Sequence, residues 1–291
     1  MDEISTAEKI TDSETSVILD STGHYYGGRG GNFSVYSSLF DVNVGLSAAI
    51  GHDSEGMAYK DYLVSKNIDV SNLFESAKTH TSKCFIFREG KKNRIFFYGS
   101  ALQEQRETYL DYIKKTVNKI GHKAIYCTSP DPEINKIALV ESKAGTKIYG
   151  PSSNIYSHPK EDITECLRNT DILFLNQNET DFLERLLKKK ANDIIKEFDI
   201  KLLIKTLGEA GSQLITDKET INVPPCKPQK VLDTSGAGDA FAGSFTANYL
   251  KTKDLLYSGK VASAVASLVV EEIGSQTNIP TIEKVMQRTK E

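Results

Sequence analysis

A glycine-rich turn late in the chain carries the clearest chemical signal. Residues 233–239 read DTSGAGD, follow a proline-rich stretch, and precede small and apolar residues at 240–250 that predict a helix. Two glycines allow the backbone N–H groups to point toward one spot, and the helix N-terminus adds its positive end there. We therefore predict an anion site, suited to phosphate, formed by the amides of Gly236, Ala237 and Gly238.

Asp239 is the candidate catalytic residue of this turn. A carboxylate in the first turn of the predicted helix lies within reach of a ligand in the anion site. It could accept the proton of an attacking hydroxyl while the amides stabilise a transferring phosphoryl group. The alternative is a helix N-cap in a glycine turn, because Asp is favoured at such positions. The length of the whole string 233–243 favours the catalytic interpretation.

Other phosphate and redox motifs do not match. The sequence has no GxxxxGK[ST] string, and Phe241 stands where a dinucleotide fingerprint needs Gly or Ala. The glycine turn also lies late in the chain instead of after the first strand, which disfavours a nicotinamide oxidoreductase. The cysteines form no CxxC pair and have no His at zinc-ligand spacing, so we expect reduced, mostly buried thiols.

Charge and hydropathy exclude several classes of partner. The 291 residues carry 36 Lys and Arg against 39 Asp and Glu, a net charge of −3, which gives no general attraction to nucleic acid or anionic lipid. The most apolar stretch, 261–270, is too short to span a bilayer, and the N-terminus has no signal-peptide pattern. We expect a cytoplasmic protein with a small-molecule ligand.

The predicted elements indicate an α/β body with a small β addition. From about residue 120 onward, short apolar runs at 124–127, 147–149, 172–175 and 202–204 alternate with amphipathic helical segments, which predicts a mostly parallel sheet. The first hundred residues instead contain a hairpin at 85–98 and a strand candidate at 16–20. These β pieces are too small for a core of their own, so we expect a lid on the α/β body.

The motifs and their order resemble one family. The DTSGAGD string resembles the C-terminal signature of the ribokinase-like (PfkB) carbohydrate kinases, GGRGGN at 27–32 resembles their sugar-binding motif, and IGHDSEG at 50–56 resembles their GxDxxG segment. The resemblance covers the chain from residue 2 onward. It implies a three-layer αβα sandwich with a mostly parallel central sheet and a small β-sheet lid. The implied core is 27–79 with 102–291, and the implied lid is 3–26 with 80–101.

The resemblance assigns Gly27, Gly28 and Asn32 to the substrate. Taken alone, such a glycine cluster is more often a mobile turn, and the order of the family motifs reverses that balance. Relatives begin with a buried strand, followed by an Asp that binds sugar hydroxyls. This sequence shows no such strand before the lid, so we expect a short segment to be missing here relative to the family. Asp2 is our candidate for the Asp that binds the sugar hydroxyls. The alternative is that Asp2 is an acidic residue in a poorly ordered chain end.

An N-x-x-E motif follows the strand at 172–175. The resemblance places Asn176 and Glu179 near Mg²⁺ and the phosphates, with the Glu acting largely through water, which suits the preference of magnesium for oxygen ligands. The alternative is that Asn178, Thr180 or Asp181 simply caps the next helix.

A second glycine motif, TLGEAG at 206–211, resembles the ATP-binding segment of the family. It implies ATP contacts at Thr206, Gly208 and Gly211, and is also compatible with an ordinary glycine hairpin. Ser263 stands where many relatives place an Asn against adenine, so the contact to the base is left open.

Together these features predict an ATP- and Mg²⁺-dependent kinase that phosphorylates a primary hydroxyl of a sugar, a sugar acid or a nucleoside. Asp239 would activate the hydroxyl, and the lid would exclude water. A homodimer through the lid is possible. The alternative function is a sugar or nucleoside sensor that keeps the fold without transferring phosphate.

Overall fold

The structure is a computed structural model that describes residues 1–6, 19–89, 92–118 and 121–290. The strands are β1 (Asp2–Thr6), β2 (Ser21–Tyr25), β3 (Val44–Gly45), β4 (Ala49–Gly51), β5 (Ile68–Asp69), β6 (Phe74–Ser76), β7 (Lys83–Glu89), β8 (Lys92–Tyr98), β9 (Ala124–Cys127), β10 (Thr146–Tyr149), β11 (Ile172–Asn176), β12 (Leu202–Thr206), β13 (Ser212–Ile215) and β14 (Thr220–Val223). The α-helices are α1 (Arg29–Ser38), α2 (Ser54–Ser65), α3 (Ser100–Glu104), α4 (Arg106–Thr116), α5 (Pro132–Glu141), α6 (Lys160–Arg168), α7 (Gln177–Leu187), α8 (Ala191–Glu197), α9 (Ala237–Thr252), α10 (Leu255–Val269) and α11 (Ile282–Arg288).

The central sheet has the order β14-β13-β12-β11-β10-β9. Strands β9 to β12 are parallel, and β13 and β14 add to one edge as antiparallel strands. Successive residues of a strand face opposite sides of a sheet, so both layers need apolar side chains from β11. Leu173 and Leu175 pack into the layer of α4 to α8, whereas Ile172 and Phe174 pack into the layer of α9 and α10. The predicted three-layer αβα architecture is confirmed.

A second, four-stranded sheet, which we call the lid sheet, has the order β2-β1-β7-β8. Its β7–β8 hairpin is the hairpin predicted at 85–98, of which residues 90 and 91 lie outside the described part. Of the strand predicted at 16–20, residues 16–18 lie outside the described part of the chain, and Leu19 and Asp20 lead into β2. Strand β1 was not predicted, because its sequence DEIST contains only one apolar residue and resembles a loop.

Helices α1 and α9 determine the position of the site because they pack closely and run in the same direction. Ser37 Oγ donates to the Gly243 carbonyl at 3.1 Å, and Lys251 Nζ donates to the Phe40 carbonyl at 2.8 Å. A Cβ at Gly243 would overlap the carbonyl oxygen of Phe33, so the glycine permits this close approach. The N-termini of the two helices therefore lie side by side. Among the described residues, no helix is long and apolar enough to cross a membrane.

Candidate active site

The two helix N-termini bring Asn32 and Asp239 together. Asn32 is buried in the first turn of α1, and its Nδ2 donates to Asp239 Oδ2 at 2.8 Å. Asp239 lies in the first turn of α9, as the sequence predicted. Because both helices direct unpaired N–H groups and a positive dipole end at the same place, this edge of the molecule can hold negatively charged oxygen atoms.

Burial makes the Asp239 carboxyl a better base than an ordinary aspartate. Protein atoms packed around the carboxyl raise its pKa to about 6, although the Asn32 hydrogen bond and the nearby Arg29 charge oppose the change. Desolvation penalises the ionised form, and a carboxylate with a pKa near the working pH can both accept and release a proton. The arrangement is therefore suited to take a proton from a hydroxyl.

A chain of buried polar groups orients Asn32. Gln276 Nε2 donates to Asn32 Oδ1 at 2.7 Å, which leaves the Asn32 amide nitrogen directed at Asp239. The Tyr59 hydroxyl donates to the Gly27 carbonyl at 2.8 Å and lies 3.2 Å from Gln276 Nε2. Sequence reasoning missed Gln276 and Tyr59, and the only signal available was the polar turn 274–277 after the apolar α10 segment.

Asp2 lies in β1 of the lid sheet, against the glycine cluster. Its carboxylate is buried and accepts a hydrogen bond from Ser275 Oγ at 3.3 Å, and burial raises its pKa. A Cβ at Gly27 would overlap this carboxylate, and Gly28 has a φ of 89° as the N-cap of α1. The structure thus brings Asp2, Gly27, Gly28 and Asn32 together.

The turn before α9 is held by Asp233. Its Oδ1 accepts from the Ser235 amide and its Oδ2 from the Gly274 amide, each at 3.0 Å. Gly236 is the N-cap with a φ of 76°, and a Cβ there would overlap Ser275. A Cβ at Gly238 would meet open space. The Ala237 amide makes a long hydrogen bond of 3.4 Å to the Thr234 carbonyl.

Asn176 and Thr206 are paired at the carboxyl ends of β11 and β12. Asn176 is the N-cap of α7 and forms a capping box with Glu179, whose two carboxylate oxygens accept from the Asn176 backbone amide at 2.8 Å and Nδ2 at 2.7 Å. Burial raises the pKa of Glu179. The alternative in which Asn178, Thr180 or Asp181 caps this helix is wrong, because the cap is Asn176 itself.

The remaining nucleotide-site candidates follow β12. Gly208 begins a short 3-10 turn, and a Cβ at Gly211 would overlap the Val223 carbonyl oxygen at the end of β14. Ser263 is buried in α10, and within the described part of the chain no side-chain hydrogen bond joins it to Thr206 or Gly208. The structure therefore groups Thr206 with Asn176 and Glu179.

Arg29 links the two groups. Its Nη1 donates to the Pro151 carbonyl at 2.9 Å, and its charge opposes the burial that raises the pKa of both Asp239 and Glu179. Sequence reasoning quoted Arg29 only as part of the GGRGGN motif. A cation between two buried carboxylates can balance the charge of an incoming phosphate.

Asp53, from the IGHDSEG segment, has a structural role. It caps α2 by accepting from the Gly56 amide at 2.8 Å, and it also accepts from Thr81 Oγ1 at 2.6 Å and the Thr81 amide at 2.7 Å. Because Thr81 leads into β7, this carboxylate ties the lid sheet to the core.

A tightly chelated metal does not suit this donor set. Among the described residues, no group of three or more His, Cys, Asp or Glu side chains could hold a metal ion. Both oxygens of Glu179 already accept hydrogen bonds from Asn176. A Mg²⁺ ion that arrives with phosphates and keeps most of its waters would fit, with Glu179 touching the hydration shell.

The comparisons with known proteins agree with this geometry. A sequence model of the pfkB family carbohydrate kinases matches residues 1–282. A nucleoside kinase of Methanocaldococcus jannaschii is 32% identical, over 99% of this chain and 93% of that protein. A nucleoside kinase of Methanothermobacter thermautotrophicus is 29% identical, over 97% of this chain and 90% of that protein. A crystal structure of Methanocaldococcus jannaschii nucleoside kinase superposes with a TM-score of 0.89 at 30% identity, covering 99% of this chain and 94% of that chain.

The chain belongs to the PfkB family of carbohydrate kinases. The predicted family and ribokinase-like fold are confirmed. The protein is an ATP-dependent kinase, a phosphotransferase whose acceptor is a hydroxyl group.

Proposed function

We propose that this kinase transfers the γ-phosphate of ATP to the primary hydroxyl of a nucleoside. The observation that carries the proposal is the Asp239 carboxyl, with a pKa raised to about 6, held by Asn32 where two helix N-termini meet. The nucleoside as acceptor is supported by the two archaeal relatives named nucleoside kinases.

In this proposal the acceptor sugar lies between Asp2, Gly27 and Asn32. The buried Asp2 carboxylate accepts hydrogen bonds from sugar hydroxyls, and Asn32 fixes the direction of the Asp239 carboxyl. Asp239 takes the proton of the primary hydroxyl as its oxygen attacks the γ-phosphorus and the bond to the β-phosphate oxygen breaks. The amides of Gly236, Ala237 and Gly238 stabilise the charge on the transferring group, for which Ala237 would give up its long bond to Thr234.

The nucleotide would occupy the edge formed by the ends of β11 and β12. Thr206, Gly208 and Gly211 line this edge, and Ser263 borders the base only if the nucleotide extends to α10. Asn176 and Glu179 would hold the phosphates and a hydrated Mg²⁺, which when bound would neutralise phosphate charge. The lid sheet, with proposed boundaries at 3–26 and 80–101, shields the reaction from water.

We also propose that two copies associate through the outer face of the lid sheet. Phe85 and Phe96 are cross-strand partners on that face, and the Phe96 ring lies 6.0 Å from the ring of Phe87 in an edge-on arrangement. Phe96 is 59% exposed, so its ring is available for contact with a second copy. Sedimentation should show a dimer that Phe87→Ser weakens, and a monomer at all concentrations would contradict it.

The transfer proposal is tested with ATP and Mg²⁺ against inosine, adenosine, guanosine, cytidine and ribose. Nucleoside-dependent ADP release, with a nucleoside 5′-monophosphate identified as the product, is the expected result. ADP release equal to a reaction without acceptor, together with measurable nucleoside binding, would instead support the sensor.

A further inference from the structure

The Tyr126 side chain packs against the first turn of α1, where Asn32 lies. Tyr126 belongs to β9, and its ring stacks on the ring of Phe33, the residue after Asn32, with a centroid distance of 4.0 Å and an interplanar angle of 5°. The ring of Phe174 meets it edge-on at a centroid distance of 6.2 Å. Two aromatic neighbours in different planes fix the orientation of the ring, so packing determines where the phenol oxygen lies.

The phenol oxygen of Tyr126 reaches the carboxyl end of β10. A Cβ at Gly150 would overlap this oxygen, so the glycine makes room for the hydroxyl. The next residue, Pro151, is the one whose carbonyl accepts from Arg29 Nη1. The hydroxyl therefore lies near the guanidinium that links the two groups of site residues.

Charged groups from both parts of the site surround this phenol. The carboxylates of Asp239 and Glu179 and the guanidinium of Arg29 are close enough for their charges to act on it. Burial, assisted by the two carboxylates, raises the pKa of Tyr126 well above its ordinary value. The phenol therefore remains protonated at neutral pH, and it can donate a hydrogen bond but cannot serve as a base.

The phenol proton of Tyr126 is available to a ligand. Thr128 lies beside the phenol oxygen, and among the described residues no carbonyl or carboxylate oxygen accepts the phenol proton. Buried hydroxyl groups are normally hydrogen-bonded. A phosphoryl group that moves from the nucleotide edge near Glu179 to a hydroxyl beside Asp239 would bring a charged oxygen to this donor.

We propose that the Tyr126 hydroxyl donates a hydrogen bond to an oxygen of the phosphoryl group during its transfer from ATP to the acceptor. This inference rests on the proposed reaction at Asp239 and adds a side-chain donor to the amides of the glycine turn. Tyr126 keeps its proton throughout: the acceptor proton goes to Asp239, the new bond forms to the γ-phosphorus, and the bond to the β-phosphate oxygen breaks. A fixed donor stabilises the transferring group most while its charge is redistributed, so the contact contributes to kcat.

Tyr149 provides a matched control. It lies in the neighbouring strand β10, where the residue before it, Ile148, is the one that pairs with Tyr126. Successive residues of a strand face opposite sides of the sheet, so Tyr149 projects into the layer of α4 to α8, away from Asp239. Its side chain is fully buried there. Tyr149→Phe removes the same hydroxyl group from the same sheet without touching the site.

The experiment compares Tyr126→Phe, Tyr149→Phe and the unmodified enzyme in steady-state kinetics with ATP, Mg²⁺ and inosine, adenosine, guanosine or cytidine. Tyr126→Phe keeps the ring and its stack on Phe33, so the melting temperature should not fall. We expect kcat to fall about 10- to 100-fold while the KM values for ATP and the nucleoside stay within about twofold. Tyr149→Phe should keep the kcat of the unmodified enzyme.

The pH profile of Tyr126→Phe separates a direct contact with the phosphoryl group from an effect through Asp239. If the phenol acted by donating to the Asp239 carboxylate, its loss would raise the pKa of Asp239 and move the acidic limb to higher pH. We expect the acidic limb to stay in place and the plateau above it to fall.

Three results would overturn this role of Tyr126. They are an unchanged kcat in Tyr126→Phe, an equal loss of kcat in Tyr149→Phe, and a loss in Tyr126→Phe that a shifted acidic limb explains in full. Failure of the proposed function would look different, since the unmodified enzyme would release no ADP in response to any of the four nucleosides. That result would overturn the nucleoside kinase reaction and the role of Tyr126 together.

Discussion

The two halves of the active site are built in different ways. In the acceptor half, hydrogen bonds join residues that are far apart in the chain: Gln276 and Asn32 are 244 positions apart, and Ser275 and Asp2 are 273 apart. In the nucleotide half, Asn176 and Glu179 are three positions apart and bond to each other. The acceptor half therefore depends on the whole fold, whereas the nucleotide half is a local turn presented by the central sheet.

The largest effect is expected at Gly236, where the phosphate turn touches the acceptor half. Gly236→Ala would hold an L-residue at a φ of 76° and overlap Ser275, the partner of Asp2. We expect a loss of about 2–3 kcal/mol in the free energy of unfolding, measured in urea. Gly238→Ala is the control, because a Cβ there meets open space, and its stability should not fall. Equal losses in both variants would contradict this difference.

Gln276→Leu should separate the two halves kinetically. It removes the hydrogen bond that orients Asn32 while keeping a side chain of similar size in a buried place. We expect kcat/KM for the nucleoside to fall about thirtyfold, or ~2 kcal/mol, with little change in the KM for ATP. Gln177→Leu should be nearly silent, because Gln177 is an exposed residue beside the nucleotide half whose side chain, within the described residues, bonds only to Asp181. A comparable rise in the KM for ATP would mean that the two halves are not independent.

The pH dependence of kcat/KM should report Asp239. The proposed reaction needs the carboxylate, and its pKa is raised to about 6, so activity is full above that pH and falls as pH decreases through it. One pH unit below the pKa, the rate should be about tenfold lower. In Asn32→Ala the acidic limb of the pH profile should move to higher pH. The hydrogen bond from Asn32 lowers the pKa of Asp239, so its loss raises that pKa. A limb that moves to lower pH would exclude this assignment.

The smallest effect is expected at the capping box. Glu179→Gln replaces one accepting oxygen with a donor that faces the donors of Asn176. We expect a loss of about 1 kcal/mol in stability and a modest rise in the Mg²⁺ concentration required for half-maximal rate. The KM for the nucleoside should not change, and a change in it would show that this local turn influences the acceptor half.

The same difference explains what could be predicted from the sequence. The parallel sheet was predictable because buried strands such as Ile172–Asn176 are continuous apolar runs, and the N-x-x-E motif because its two residues are neighbours. The position of Asp239 followed from its glycine turn. Gln276 and Tyr59 were not predictable, because their roles exist only after distant segments pack together. Strand β1 was missed because its partners, β2 and β7, determine its pairing.

The central claim is that Asp239 removes the proton of the acceptor hydroxyl. Its most direct test is Asp239→Asn, with turnover and binding of ATP and nucleoside measured on the same preparation. Turnover should fall about 10²- to 10⁴-fold while both ligands still bind. The melting temperature should not fall, since burial already disfavours the charged form of Asp239. Near-normal turnover in this variant would contradict the account.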